Sequence, residues 1–244
     1  DIETPTFEYF EVFSKEVGTI PSRELYKFFD REGNTLVLRP DFTPSVSRAC
    51  ATYFNPEKEV VSLCYTGNTF INNSSFRGRL KETTQMGVER MGDDSPEADA
   101  EILAMTVECL LAAGLTEFQV SVGQVDYYKA IFAQTGMSQE EEEELRELIS
   151  QKNYFGVEEL VKSKNMDKAL ANVLSQLPQM FGGADVLQKA KALTDNQQAL
   201  KAVARLEEIY ELLKVYGYEK YITFDFAMLS KYHYYTGIIF QAYT

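Results

Sequence analysis

The stretch FFDREGNTLVLRPDFTP, residues 28–44, decides how the N-terminal part of the chain folds. Its segment NTLVLRP (34–40) alternates apolar and polar residues and stops at Pro40, which is typical of a strand that leaves a sheet. The preceding FFDREGN contains the glycine, aspartate and asparagine that favour a tight turn. The sequence therefore predicts a β-hairpin, with Asp41 and Thr43 directly after its second strand.

Two further segments alternate as strands do: EVVSLCYTG (59–67) and TTQMGVERMG (83–92). Successive side chains of a strand point to opposite faces, so the second segment presents two different surfaces. One face carries Gln85, Gly87 and Glu89, and the other carries Met86, Val88 and Arg90.

The rest of the chain changes from strand to helix and back. Ser95 and Pro96 begin a predicted helix that Gly114 ends, and TEFQVSVG (116–123) alternates as a strand. Helical patterns then run from about Asp126 to Gly217, and strand character returns at KYITFDF (220–226). We therefore predict an α+β sheet domain of residues 1–125 and 218–244, interrupted by a helical insertion of residues 126–217.

Composition limits the classes of function. The chain has 244 residues, of which 45% are hydrophobic, enough for a packed core. Its 37 acidic and 24 basic residues give a net charge of −13, the wrong sign for a surface that binds a nucleic-acid backbone. No apolar run approaches the roughly 20 residues that span a bilayer. Both ends look cut, because the chain starts on Asp1 and FQAYT at its end reads as part of a strand.

The three cysteines, Cys50, Cys64 and Cys109, are odd in number and share no metal-binding or redox spacing. Their neighbours are small or apolar, so we predict buried free thiols, which suit a reducing cytoplasm.

Two pairs of polar residues are candidates for a binding site. Asp41 and Thr43 could hold an ammonium group through their oxygen atoms, or they could cap the helix that Pro44 starts. Gln85 and Glu89 could point into one cavity, with Gly87 leaving room for a ligand against the backbone. The alternative for this second pair is a solvated face of the sheet.

Other chemistry has weaker support. The loop INNSSFRGRLKE (71–82) carries Arg77, Arg79 and Lys81, which could contact phosphate or only solvent. His233 is the only histidine, so metal binding and histidine-based catalysis are not predicted, and no cofactor motif occurs.

Three blocks taken together resemble the histidyl-tRNA synthetase core, a class II aminoacyl-tRNA synthetase fold. They are LYKFFDREGNTLVLRPDFTPSVSRA, QMGVERMG and YYTGIIF. The resemblance covers nearly the whole chain and implies an antiparallel sheet flanked by helices, with a helical insertion. It also implies that Asp41 and Thr43 bind the α-amino group of histidine. The remaining histidine-binding positions that it implies are Arg79, Gln85, Glu89, Tyr234 and Tyr235.

The chain departs from that family where the synthetase reaction takes place. Ile71 and Asn73 stand where the family has an arginine for the ATP α-phosphate and a glutamate for adenine. Ser230 stands at a second arginine, which acts during histidine activation, and His233 stands at an aspartate. Lys231 is one residue out of register with the lost arginine and should point to the other face of a strand. Without these arginines the ATP phosphates lose charge-assisted contacts.

A pocket that keeps its amino-acid ligands but loses these groups resembles the regulatory subunits of ATP phosphoribosyltransferase, non-catalytic relatives of the synthetase. That resemblance implies no enzyme activity, a short-form catalytic subunit as partner, feedback inhibition by histidine, a self-dimer, and neither tRNA nor a membrane as a partner. A working histidyl-tRNA synthetase is the alternative. A synthetase-like protein of an unrelated pathway is a third possibility.

Overall fold

The predicted hairpin lies in a three-stranded antiparallel sheet of order β1-β3-β2. Its strands are β1 (Phe7–Tyr9), β2 (Lys27–Phe29) and β3 (Thr35–Leu38). The Asp30 carboxylate closes the turn by accepting hydrogen bonds from the backbone N–H groups of Glu32 and Asn34. The hairpin prediction is therefore confirmed.

A small core lies under this sheet. Val37 is fully buried and packs with Phe13 and Leu25, beside the short helix α1 (Glu11–Ser14). The computed structural model describes residues 1–14, 20–73, 78–164, 166–229 and 235–244. It divides into two units, Asp1–Asp94 and Ser95–Thr244.

The first unit continues with helix α2 (Thr43–Tyr53) and a long two-stranded ribbon. Strands β4 (Val61–Phe70) and β5 (Glu82–Met91) pair antiparallel along their whole length. The predicted alternation is confirmed, because Met86 and Val88 are exposed whereas the residues between and beside them on β5 are partly buried. This pairing fixes which side chains of β4 meet those of β5.

The second unit begins with helix α3 (Pro96–Ala112), which has the predicted ends. The Ser95 side chain accepts a hydrogen bond from the Ala98 N–H at 3.2 Å, and Gly114 follows the helix with a φ of +89°. The unit also contains a four-stranded sheet of order β7-β8-β6-β9. Its strands are β6 (Gln119–Gln124), β7 (Phe181–Gly182), β8 (Ile222–Asp225) and β9 (Ile238–Tyr243).

Helices fill the region where helical patterns were predicted. They are α4 (Val125–Phe132), α5 (Gln139–Ser150), α6 (Tyr154–Ser163), α7 (Lys168–Gln176), α8 (Asp185–Ala192) and α9 (Gln197–Tyr216). Side chains from these helices share one hydrophobic core with Val120 and Val122 of β6 and Phe224 of β8. The helices are thus packed against the sheet of the second unit. The division at residues 126 and 217 stays a prediction.

The cysteine prediction was wrong in part. All three thiols are free, but only Cys50 is buried, whereas Cys64 and Cys109 are exposed. Cys64 lies on the outer side of β4 and Cys109 on an exposed part of α3, positions that small neighbouring residues did not reveal. Within the described ranges, no helix is both long and apolar enough to cross a bilayer.

We predict that Ser95→Ala lowers the free energy of unfolding of the full-length protein by about 1 kcal/mol, because the first turn of α3 loses its cap. Urea unfolding at neutral pH measures this change. Ser150→Ala is the matched control. Its hydroxyl bonds an exposed carbonyl inside α5, so its effect should stay within about 0.5 kcal/mol. Equal effects of the two substitutions would contradict the capping role.

Candidate amino-acid-binding site

Asp41 and Thr43 lie between the end of β3 and the first turn of α2. The Thr43 N–H donates a hydrogen bond to Asp41 Oδ1 at 3.3 Å, and the Thr43 hydroxyl donates to Glu89 Oε1 on β5 at 2.7 Å. The residue at the N-cap position of α2 is Phe42, whose side chain cannot cap. Asp41 therefore accepts a hydrogen bond from the first turn of α2, as the capping alternative expects, while the Thr43 hydroxyl donates to the strand. That the two side chains bind an ammonium group stays a prediction.

Tyr65 is a member of this cluster that the sequence analysis missed. The β4–β5 register places it directly opposite Gly87, and its ring stacks on Phe42 with 4.3 Å between centroids and 13° between planes. A Cβ atom at Gly87 would lie only 2.3 Å from Tyr65 Cζ and Oη. The Tyr65 ring therefore occupies the side of Gly87 on which a Cβ atom would stand. That this glycine leaves room for a ligand stays a prediction.

The signal for Tyr65 was present in the sequence but needed the pairing of two strands. An aromatic residue opposite a glycine is a cross-strand pair, and such pairs are visible only once the register is known. Aligning β4 against β5 from the ends that flank the 71–82 loop would have placed Tyr65 opposite Gly87.

Burial is the main cause of the pKa shifts in the cluster, and repulsion by Asp41 adds to the shift of Glu89. Burial raises the pKa of Asp41, against the opposing effect of hydrogen bonds from the backbone of Thr43 and Phe42. Burial also raises the pKa of Glu89; the Thr43 hydroxyl opposes that rise, and the nearby Asp41 carboxylate adds to it.

The same two carboxylates also shift the pKa of Tyr65. Burial, followed by repulsion from Glu89 and Asp41, raises its pKa to about 12, and the neighbouring side chains of Thr43 and Gln85 oppose that rise. Gln85 therefore lies close to Tyr65, on the same face of β5 as Glu89. The solvated-face alternative does not describe Gln85 and Glu89, because both are partly buried and Glu89 accepts the hydrogen bond from the Thr43 hydroxyl.

The cluster contains oxygen acceptors and two carboxylates but no cation of its own. Among the residues that the structure describes, no lysine or arginine contributes to the pKa shifts of Asp41, Glu89 or Tyr65. In the same residues no group of three or more histidine, cysteine or acidic side chains could hold a metal ion. A ligand that brings an ammonium group would satisfy both the charge and the unused acceptors.

Arg39 lies close by but holds the protein rather than a ligand. It is buried, donates from Nε to the Asn68 carbonyl at 2.8 Å and from Nη1 to the Thr4 carbonyl at 2.7 Å, and its Cζ lies 4.1 Å from the centroid of Phe42. These contacts attach the N-terminal segment to β4 and support Phe42 beside Tyr65. Arg39 thus helps to position the stacked rings of Phe42 and Tyr65, which form the aromatic wall of the cluster.

A cavity of about 910 Å³ runs beside the ribbon, and its lining includes Arg39, Phe42, Tyr65, Gly87 and N-terminal residues. Asp41, Thr43, Gln85 and Glu89 do not line it. We place the candidate site at the polar cluster and not in this cavity, because convergent polar groups fix a ligand's orientation and cavity size alone does not.

The other predicted residues lie outside the cluster. Arg79 is exposed at the end of its loop and makes no hydrogen bond or ion pair with the described part of the chain. Tyr235 belongs to the second unit, where its carbonyl accepts a hydrogen bond from Lys129 Nζ at 2.9 Å. Arg77, Ser230, Lys231, His233 and Tyr234 fall outside the described residues.

The base of the 71–82 loop is closed by Ile71 and Asn73, the two residues that the resemblance aligns with ATP-binding positions of the synthetase. The Ile71 N–H donates to the Lys81 carbonyl at 2.9 Å, and Asn73 Nδ2 donates to the Leu80 carbonyl at 3.1 Å. The Asn73 amide is therefore engaged in closing the loop.

The antiparallel sheets and helices of the two units, together with the likeness to solved structures of this class, define an α+β fold of the class II aminoacyl-tRNA synthetase type. The family model described as "Histidyl-tRNA synthetase" matches residues 1–244. The chain belongs to that family.

Individual relatives narrow the comparison. An ATP phosphoribosyltransferase regulatory subunit from Acetivibrio thermocellus is 39% identical over 244 residues, which cover 100% of this chain and 58% of that protein. A solved ATP phosphoribosyltransferase regulatory subunit/histidyl-tRNA synthetase from Bacillus halodurans C has a TM-score of 0.87 at 34% identity, covering 99% of this chain and 63% of that one. The chain thus spans about three-fifths of the length of these relatives.

A more distant structure shares the fold. It belongs to an ATP phosphoribosyl transferase (HisG:HisZ) complex from Thermotoga maritima, with a TM-score of 0.68 at 19% identity, covering 99% of this chain and 80% of that chain.

We predict that Gly87→Ala destabilises the full-length protein by about 1–3 kcal/mol, because the new methyl group must displace the Tyr65 ring from its stack on Phe42. Urea unfolding measures the loss. Val88→Ala, the exposed neighbour on the opposite face, is the control and should cost less than about 1 kcal/mol. A neutral Gly87→Ala would show that the ring can move freely.

We predict that Glu89→Gln raises the stability of the unliganded protein at pH 7 by up to about 1 kcal/mol, since solvent still reaches and screens this half-buried side chain. The folded-state pKa of Glu89 lies above the unfolded one, so the stability present in acid is lost as the pH rises through the folded-state pKa. Glutamine has no such loss and can still accept the Thr43 hydrogen bond.

Thermal unfolding of Glu89→Gln and wild type at several pH values tests this idea. The difference should be largest at pH 7 and vanish below the ordinary carboxyl range. Glu57→Gln, at an exposed glutamate, controls for the change in net charge. A less stable Glu89→Gln at pH 7 would contradict the sign.

Proposed function

We propose that the full-length protein is a non-catalytic regulatory subunit of ATP phosphoribosyltransferase, which catalyses the first step of histidine biosynthesis. The observation that carries the proposal is the contrast between two halves of one site. In one half, Thr43 donates hydrogen bonds to both Asp41 and Glu89 and so holds the acidic cluster together. In the other half, Ile71 and Asn73 stand where the synthetase resemblance requires an arginine and a glutamate. The names of the full-length relatives support the same role.

The retained half suits the ammonium group of histidine. Asp41 and Glu89 supply negative charge, and Thr43 and Gln85 supply a hydroxyl and an amide that orient the ligand. The synthetase resemblance adds Tyr235, Tyr234 and Arg79 as further contacts. We propose these residues as the histidine site.

The altered half explains why no aminoacylation is proposed. Stabilising the charge that develops on the ATP α-phosphate needs a fixed cation or donor at that point. Ile71 has no polar side chain, and the Asn73 amide already donates to the Leu80 carbonyl. Binding without this stabilisation leaves a sensor of histidine and not a catalyst.

The proposed partner is the short-form catalytic subunit, in a hetero-oligomer that histidine inhibits. Coupling between the histidine site and the partner's activity is the regulation that the role requires. A self-dimer is part of the proposal. The net charge of −13 argues against tRNA as a partner, and three free thiols suit the reducing cytoplasm.

A working histidyl-tRNA synthetase is the second candidate, because the matching family model carries that description. It requires other residues to replace the lost arginines. Histidine-dependent ATP–pyrophosphate exchange separates the two candidates: robust exchange by the full-length protein would exclude the regulatory role as the only function.

The decisive experiment mixes the full-length protein with the short-form catalytic subunit and follows formation of phosphoribosyl-ATP with and without histidine. We expect activity to require both proteins and to fall when histidine is added. A catalytic subunit that is indifferent to this protein would overturn the proposal and favour a synthetase-like protein of another pathway.

We further expect Glu89→Ala to weaken histidine binding at least tenfold in isothermal titration calorimetry, since the ligand loses a charged partner and the Thr43 hydroxyl loses its acceptor. Glu57→Ala, an exposed glutamate, is the control and should bind as the wild type does. Unchanged binding by Glu89→Ala would place the histidine site elsewhere.

A further inference from the structure

Asp41 and Glu89 converge on a single residue although they come from distant parts of the sequence. Thr43 gives its backbone N–H to the Asp41 carboxylate and its hydroxyl hydrogen to the Glu89 carboxylate. Both side chains are partly buried, and each of these hydrogen bonds comes from a neutral donor. Two like charges held by one threonine repel each other, and the Asp41 carboxylate raises the pKa of Glu89 in this way.

Within the described ranges, no lysine or arginine forms an ion pair with Asp41 or Glu89, and the basic side chains on the neighbouring elements have other partners. On the segment before α2, Arg39 bonds main-chain carbonyls and lies on Phe42. On α2, Arg48 pairs with Glu8 at 2.7 Å, and on β5, Arg90 pairs with Asp93 at 2.9 Å. On β4 the facing titratable group is the Tyr65 phenol, which is neutral at physiological pH and therefore adds no positive charge.

We propose that the Asp41–Glu89 pair holds a proton while the site is empty and releases it when a ligand ammonium group enters. This inference rests on the proposed histidine site and assigns that site a linkage to pH. The arriving cation replaces the bound proton as the partner of the two carboxylates, so charge in the site stays nearly constant. The ligand must also compete for the Glu89 oxygen that the Thr43 hydroxyl already bonds.

The direction of the pH effect follows from proton linkage. An empty site that binds more protons than the occupied one loses affinity for the ligand as the pH falls. Each proton released contributes a slope of about one in the plot of log Kd against pH. Histidine inhibition would therefore weaken in mild acid, beyond any effect of the ligand's own ionisation.

Calorimetry of the full-length protein with L-histidine counts the released protons. Titrations at about pH 6 in two buffers of different ionisation enthalpy give the net number of protons exchanged. We expect the wild type to release more protons on binding than Glu89→Gln and Asp41→Asn do, and this difference is independent of the ionisation of the ligand itself. Glu57→Gln, at an exposed site, should match the wild type.

A second measurement needs no ligand. In the empty protein, ¹³C NMR of labelled carboxyl groups, assigned through Asp41→Asn and Glu89→Gln, should show both groups titrating above their ordinary ranges, with each substitution lowering the pKa of the remaining carboxyl. Ordinary, independent titration of the two groups would overturn the proposal whether or not histidine binds.

The outcomes separate this inference from the proposed function. Histidine binding without proton release by the wild type leaves the histidine site standing and overturns the proton exchange. Absence of histidine binding overturns the proposed site, and the carboxyl titration of the empty protein then decides alone whether the pair holds a proton.

Discussion

The hydrogen bond from the Thr43 hydroxyl to Glu89 joins the two chain segments that build the acidic cluster. It connects the start of α2 to the middle of β5, residues 46 positions apart in the chain. Its geometry depends on the full pairing of β4 with β5, which places Glu89 and Gly87 on the inner face and Tyr65 over the glycine. Phe42 and Arg39 support that ring from the side of β3, so the aromatic wall and the acidic pair are built by the same contacts.

The two carboxylates that suit the proposed binding role lower the stability of the empty protein. Buried carboxylates without a cation weaken the empty protein, because their ionised forms are poorly solvated and repel each other. A site that binds an ammonium group needs that same excess of negative charge. Residues of this kind stay where ligand binding requires them, and a neutral substitute would suit the fold better.

The contrast within one family is between binding and catalysis. The chain belongs to the histidyl-tRNA synthetase family, and its full-length relatives include regulatory subunits of ATP phosphoribosyltransferase. The loop that follows β4 uses Ile71 and Asn73 to close its own base through hydrogen bonds. A loop closed in this way is consistent with the proposed regulatory role.

Local sequence determined much of this fold. The hairpin around Asp30, the caps of α3 and the alternation along β5 depend on neighbouring residues, and each was predicted correctly from the chain. Asp41, Thr43, Gln85 and Glu89 were also identified, but their chemistry stayed ambiguous. A carboxylate at the start of a helix can accept hydrogen bonds from the helix backbone or from a ligand, and the sequence does not distinguish these two uses.

Only the tertiary structure decided which contacts each of these residues makes. The direction of the Thr43 hydroxyl, the Tyr65 ring above Gly87 and the exposure of Cys64 all follow from strand register and packing between distant segments. Sequence periodicity shows which residues of a strand lie on the same face, but it does not show what packs against that face. The site therefore became definite when β4, β5 and α2 were brought into contact.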